Sequence, residues 1–180
     1  MKPLNLLPYA LLIVTLTGLA GCVITPTPSS SPTPATYNDP FAYCKAVGTI
    51  DTPGPQYTGP KVPQSIAQGL QTAMNAPNVP INVLENGSFW RCVNGNVYAC
   101  FVGANLPCDE KANTDRTPTQ AEKDFCTQNP NSDFIPAVVT GHNTVYEWIC
   151  KDGQPEIARQ IAQTDQRGFL ANIWYEIKPQ

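Results

Sequence analysis

Two stretches of this sequence pair a tryptophan with a cysteine at a spacing that invites chemistry. WRCVNG, residues 90–95, and WICKDG, residues 148–153, both read Trp-x-Cys-x-x-Gly. Cysteine thiolates bind metals and exchange disulfides, so a duplicated metal or redox centre is the first reading to weigh. A structural zinc site needs four Cys or His ligands, which commonly arrive as closely spaced pairs. Here no two cysteines form Cys-x-x-Cys, and the chain holds one histidine. Thioredoxin-like redox chemistry and c-type haem attachment both lack their motif. The sequence predicts no metal and no cofactor.

The other candidates for chemistry are sparse. His142, in VVTGHNTVYEW, is the single histidine and sits beside Gly141. As a general acid or base it would need a nucleophile or carboxylate within about 3 Å. The serines of the folded part, Ser65, Ser88 and Ser132, lie outside any Gly-x-Ser-x-Gly elbow. Carboxylates cluster at Asp109-Glu110, at Asp115, and at Glu122 with Asp124. Two of them could form a glycosidase pair. They read more simply as a solvated loop and as acids in the first turn of a helix, where they complement the dipole. The stretch DEKANTD lacks the ligand spacing of an EF-hand. No residue is assigned a catalytic role on this basis. The long polar loop GANLPCDEKANTDRTP is the best candidate for a contact surface, with Asn105, Asp109 and Arg116 on it and His142 nearby in function.

These residues must be positioned by strands, helices and staples. SFWRCVNGNVYACFV, residues 88–102, places aromatic and β-branched residues on both sides of Asn94-Gly95, the strongest short hairpin signal. With a two-residue turn, Cys92 faces Val97 and Trp90 faces Ala99. Period-two geometry then puts Trp90 and Cys92 on one face and Cys100 on the other. A Cys92–Cys100 bridge is thereby disfavoured, since bridged Cβ atoms lie within about 4.5 Å. Cys100–Cys108 is the pairing that the loop after Phe101 allows, and the other four cysteines stay open. Each Trp-x-Cys-x-x-Gly copy becomes a strand end entering an Asn-Gly or Asp-Gly reversal, with a disulfide beside a tryptophan in the core.

Residues 144–177 read as a three-stranded meander. TVYEWIC is followed by Glu156–Gln163 and then by FLANIWYEI, where Phe169, Ala171, Ile173, Tyr175 and Ile177 alternate onto one face. On the first of these strands Tyr146, Trp148 and Cys150 should share a face with Pro155, Ile157 and Ile161. Helices are expected at 63–75, with Pro63 in the first turn, and at 118–128, with Thr117 as cap and Pro118 at the first position. Residues 39–45 carry a helical turn that leads into an irregular arm. The expected fold class is α+β: one antiparallel sheet of about five strands (hairpin plus meander) with two short helices, stapled by three disulfides.

The chain ends bear on where the protein works. Residues 1–22 join a single basic residue, Lys2, to an apolar run shorter than the about 20 residues of a membrane-spanning helix. Leu19-Ala20-Gly21-Cys22 resembles the lipobox of bacterial lipoproteins. That resemblance implies lipidation of Cys22 and anchoring by acyl chains, including palmitate, on the extracytoplasmic face of a bacterial membrane. With the Pro-rich composition that follows, the expected domains are 1–21 (signal peptide), 22–36 (lipidated cysteine and Pro/Thr/Ser-rich tether) and 37–180 (one disulfide-bonded domain). With Cys22 assigned to lipid, Cys44, Cys92, Cys100, Cys108, Cys126 and Cys150 remain, an even set that fits three bridges in an oxidising compartment. Without Lys2 the chain has 10 basic and 14 acidic residues, and no basic cluster of the kind that binds nucleic acid.

Beyond the leader, the block from Trp90 through GANLPC, TPTQAEKDFC and GHNTVYEWIC resembles small exported, disulfide-rich bacterial domains. This second resemblance implies architecture and no activity. The expectation is a non-catalytic binding or accessory domain, with the membrane and an envelope protein or membrane complex as partners. A secreted envelope-acting hydrolase using His142 and loop carboxylates, or an inhibitor or ligand-sequestering module, are the alternatives.

Overall fold

Both Trp-x-Cys-x-x-Gly stretches end in the same turn. Asn94 and Gly95 take φ of 51° and 80°, and Asp152 and Gly153 take 50° and 79°. Two consecutive left-handed residues make the turn whose twist matches that of the flanking strands, and Gly supplies the second at no steric cost. The first reversal joins β1 (Ser88–Val93) to β2 (Asn96–Phe101), with Cys92 opposite Val97 and Trp90 opposite Ala99, in the expected register. The second joins β3 (Tyr146–Lys151) to β4 (Gln154–Gln160).

A computed structural model describes residues 34–179 of the chain. The expected signal peptide, Cys22 and most of the expected tether lie outside the described residues. Five helices accompany the strands: α1 (Pro40–Val47), α2 (Gln64–Ala73), α3 (Ile81–Gly87), α4 (Gln120–Gln128) and α5 (Ala137–Thr140). α1 is capped by Asp39, whose carboxylate accepts from the Ala42 N–H at 2.7 Å. α4 starts later than expected. Thr119, not Thr117, is its cap, in a reciprocal capping box with Glu122. In α2 Pro63 is the cap residue rather than the first helical one. Gly69, a weak helix former, sits where a Cβ would come within 2.4 Å of the Ile177 side chain, so it lets α2 lie close on the sheet.

The fold class holds as α+β with three disulfides, but the single five-stranded sheet does not. There are two antiparallel sheets, one of order β1-β2-β5 and one of β3-β4. The expected third meander strand is broken. Residues Ala171–Ile173 form a 3-10 turn, and only Tyr175–Ile177 (β5) is extended. β5 pairs with β2, Val97 opposite Ile177, and not with β4. The two Trp-x-Cys strands therefore belong to different sheets. A second correction concerns Ile161. The register shifts between Glu147 and Trp148, which pair with Arg159 and Ile157 respectively. One extra residue in β4 reverses the alternation beyond it, and Ile161 turns out to solvent, 51% exposed.

The three-stranded sheet separates two cores. One face packs Trp90, Cys92, Val97, Ala99 and Ile177 against Tyr43, Ile66 and Leu70 of α1 and α2. The second core gathers Cys100, Cys126, Trp148, Cys150, Phe169 and Trp174. Disulfides pin both. Cys44–Cys92 ties α1 to β1, Cys126–Cys150 ties α4 to β3, and Cys100–Cys108 closes the loop after β2. The last is the pairing expected from the loop after Phe101. All six cysteines of the domain are thus spent on structure, and none is a thiolate that could bind metal. Among the described residues no helix is long and apolar enough to cross a membrane.

Candidate functional site

The site is built around an edge. β1 is the outer strand of its sheet, and the chain before it approaches that edge at one point, the Ile50–Cys92 bridge. Beyond Ile50 the arm of residues 51–61 leaves the strand. Its departure is held by specific bonds. The Gly54 N–H donates to the Tyr43 hydroxyl at 2.8 Å, and the Trp90 indole N–H donates to the Lys61 carbonyl at 2.6 Å. Between the arm and the strand lies a cavity of about 300 Å³. Five aromatic side chains line it: Tyr57, Phe89, Trp90, Phe169 and Trp174. Polar lining comes from Asp51, Lys61, Ser88 and Asp109. A volume at the low end of small-ligand sites and aromatic walls with a few polar groups are what binding clefts share.

Beneath this cleft runs a charged network. Arg91 is 2% exposed and pairs with the Asp165 carboxylate. Its guanidinium carbon lies 4.3 Å from the Phe169 ring centre and 4.1 Å from that of Trp174, a cation held between two π-systems. Lys111 Nζ sits 3.5 Å from the Phe169 centre and 2.8 Å from Asp51. Arg167 reaches the same Asp51 carboxylate at 2.9 Å. Three cations thus surround two carboxylates. Burial pushes the Asp165 carboxyl up, but the Phe169 N–H, the Arg91 guanidinium and the Arg167 N–H together hold it below its ordinary value. For Asp51 the hydrogen bond from Arg167 leads, burial opposes it and Lys111 adds to it, and the carboxyl is held down to about 2. Burial, with the Asp39 charge, pushes the Tyr57 hydroxyl up to about 12, so it stays neutral.

Among the described residues several buried polar atoms have no partner: Tyr57 Oη, Ser88 Oγ, Trp174 Nε1, and Arg91 Nε and Nη1. Three of the four residues concerned line the cleft. Orphaned buried donors are costly, which marks this part of the molecule as one that water or a ligand completes.

The Asp51 network makes a pH prediction. A carboxyl lowered in the fold to about 2 stabilises fully above its ordinary value near 4 and loses that contribution as pH falls towards 2. Asp51→Asn is expected to cost about 1 kcal/mol at neutral pH, the scale of partly exposed ion pairs. The gap in unfolding midpoint between wild type and variant should close between pH 4 and pH 2. A gap that is constant over that range would count against the pairing.

Of the four residues offered from sequence as a contact surface, the structure brings one into the cleft: Asp109 lines it. Asn105 is exposed at the end of a 3-10 turn with φ of 60°. Arg116 is exposed and lies 5.1 Å over the Tyr146 ring. His142 is exposed, next to Gly141 with φ of 85°, just ahead of β3. Among the described residues no hydrogen bond or ion pair links His142 to a carboxylate, and no group of three His, Cys, Asp or Glu side chains could hold a metal ion. The residues that sequence reasoning missed are Asp51, Ser88, Arg91, Asp165, Phe169 and Trp174. Arg91 carried a signal, because a charge between Trp90 and Cys92 must face the same side as Cys100, into the second core.

No family model matches the chain, and no curated protein or solved structure shows significant similarity to it. The functional reading accordingly rests on the cleft.

Proposed function

We propose that this chain is a lipid-anchored, extracytoplasmic binding or accessory domain that recognises its partner in the cleft between the arm and the edge of β1. One observation carries the reading: a preformed cavity of about 300 Å³ whose aromatic walls and unpartnered polar atoms are suited to holding a ligand. The three disulfides support an oxidising, exported setting, because such bridges are rare in reducing cytosol. Leu19-Ala20-Gly21-Cys22 supports the anchor. The partner is a protein of the envelope or of a membrane complex, met at a distance set by the Pro-rich tether.

Two measurements test this. The wild-type protein is expected to fractionate with membranes and Cys22→Ala with the soluble fraction. Tight membrane retention of the variant would overturn the anchor. Solubilised in mild detergent, the wild type should co-purify with a partner, and the rim reversal Lys61→Glu with Asp109→Lys should reduce that recovery severalfold. Recovery unaffected by the reversal would move the contact away from the cleft.

A further inference from the structure

Resting on that reading, we infer that the occupant of the cleft is an extended peptide segment that adds as a strand to the free edge of β1. The register of the hairpin decides which main-chain groups are available. Val93 and Asn96 close the two-residue turn, so the pairs hydrogen-bonded across the hairpin are Val93 with Asn96, Arg91 with Tyr98, and Phe89 with Cys100. The N–H and C=O of the alternate residues, Cys92, Trp90 and Ser88, turn away from β2. Cys92 uses both of its groups on Ile50, at 3.0 Å each. Trp90 turns the same groups outward, and among the described residues it has no outer-side main-chain partner; Ser88, whose N–H closes the last turn of α3, offers its carbonyl there.

The ladder begun at Ile50 would continue antiparallel with Thr52 opposite Trp90 and Gly54 opposite Ser88. It does not, because the Gly54 N–H is taken by Tyr43 and Asp51 is drawn to Lys111 and Arg167. The cleft is the gap left by this divergence, with residues 51–54 on one wall and 88–90 on the other. Trp90 is 3% and Ser88 is 1% exposed, so their outward groups are shielded from bulk water yet unpaired, a costly state that a strand would relieve.

The chemistry of the segment follows. At about 3.3 Å per residue, pairing with Ser88 and Trp90 takes three to four residues. A strand inserted at a sheet edge sends successive side chains to opposite faces. Here one face presents Tyr57 and Trp90, and the other Phe89, Phe169 and Trp174, so consecutive apolar residues fit on both sides. The polar lining adds one group of each sign. Lys61 and Asp109 have no ion-pair partner among the described residues, whereas Asp51 is already paired twice. The complementary occupant is an apolar stretch flanked by one basic and one acidic group. Main-chain pairing gives affinity and the alternating pockets give selectivity, as in other cases of strand addition.

The probe is a pool of capped pentapeptides with three central apolar residues and one Lys and one Glu at the ends, added to the full-length protein in detergent. We expect amide exchange at Trp90 to slow by about tenfold or more, and the same pool N-methylated along its backbone to lose about tenfold or more in affinity, since its side chains remain but its N–H donors do not. Absence of protection at the Trp90 amide overturns the inference. So does binding that survives N-methylation, or a shift of the Trp174 indole without protection at the edge. If the peptides fail while membrane-derived partner capture still depends on Lys61 and Asp109, strand addition is wrong and the binding-domain reading stands. If that capture also fails, both fall.

Discussion

Replacing Cys44 and Cys92 together by alanine is expected to lower the unfolding free energy by about 4 kcal/mol, the largest loss of any bridge in the domain. The argument is chain entropy. This bridge closes a separation of 48 residues, against 24 for Cys126–Cys150 and 8 for Cys100–Cys108. The same relation gives about 3.5 and about 2.5 kcal/mol for those two. Against a typical total of about 5–15 kcal/mol, the first loss is a large share. Packing adds to it. Both Cys44 and Cys92 are fully buried, and α1, with 8 residues, is too short to persist without tertiary support. Loss of the staple frees α1 and with it the arm that forms one wall of the cleft. Denaturant midpoints of the three double variants, with slopes unchanged, test the order, and equal losses from all three would contradict it. Amide exchange at Ile50 should quicken in the Cys44/Cys92 variant before global unfolding, because its N–H is bonded to the carbonyl of Cys92 itself.

What could be read from the sequence was local. Asn94-Gly95 and Asp152-Gly153 encode their turns through two adjacent residues that accept left-handed backbone, and the turn then fixes the register of Trp90, Cys92 and Cys100. That register disfavours Cys92–Cys100, and the loop after Phe101 allows the Cys100–Cys108 pairing that forms. Thr117 and Pro118 point to the helix at 120–128 but place its start too early, since Thr119 and Glu122 form the cap. What was hidden depends on partners far along the chain. Phe169 to Ile177 alternates convincingly, yet Leu170 and Trp174 are buried as well, and that second set is accommodated by a 3-10 turn, not by a strand. The Asp165 carboxylate shapes this segment by accepting from the N–H groups of Arg167 and Phe169, at 2.8 and 3.0 Å. The chain then crosses to β2 because Phe169 and Trp174 close over Arg91. Nothing near Asp165 in sequence names Arg91, 74 positions away. The cleft itself is a divergence between the arm and β1, so no motif marks it. Asp109 was reachable from the sequence because its neighbour Cys108 anchors the loop beside the cleft.

Asp165→Asn is expected to cost about 3 kcal/mol, and Arg91→Met about 1 to 2 kcal/mol, although the two remove opposite ends of one ion pair. The asymmetry comes from burial. Arg91 is 2% exposed and Asp165 is 23%. Without Asp165 the guanidinium stays between Phe169 and Trp174 with no anion beside it, adding an unpaired charge to two donors that already lack partners. Without Arg91 the carboxylate keeps its main-chain donors Arg167 and Phe169 and is near enough to water to be solvated, while methionine fills much of the vacated space between the rings. The double variant should therefore be more stable than Asp165→Asn alone, a coupling that a thermodynamic cycle measures directly. Acid should mimic the first variant. The Asp165 carboxyl lies below its ordinary value in the fold, so its contribution is full above about pH 4 and is lost as pH falls and the carboxyl protonates, stranding Arg91. Arg91→Met, with no buried cation to strand, should lose less stability over the same acid range. A variant pair of equal cost, or an Arg91→Met protein as acid-sensitive as wild type, would mean that Arg91 is held by its aromatic neighbours and not by Asp165.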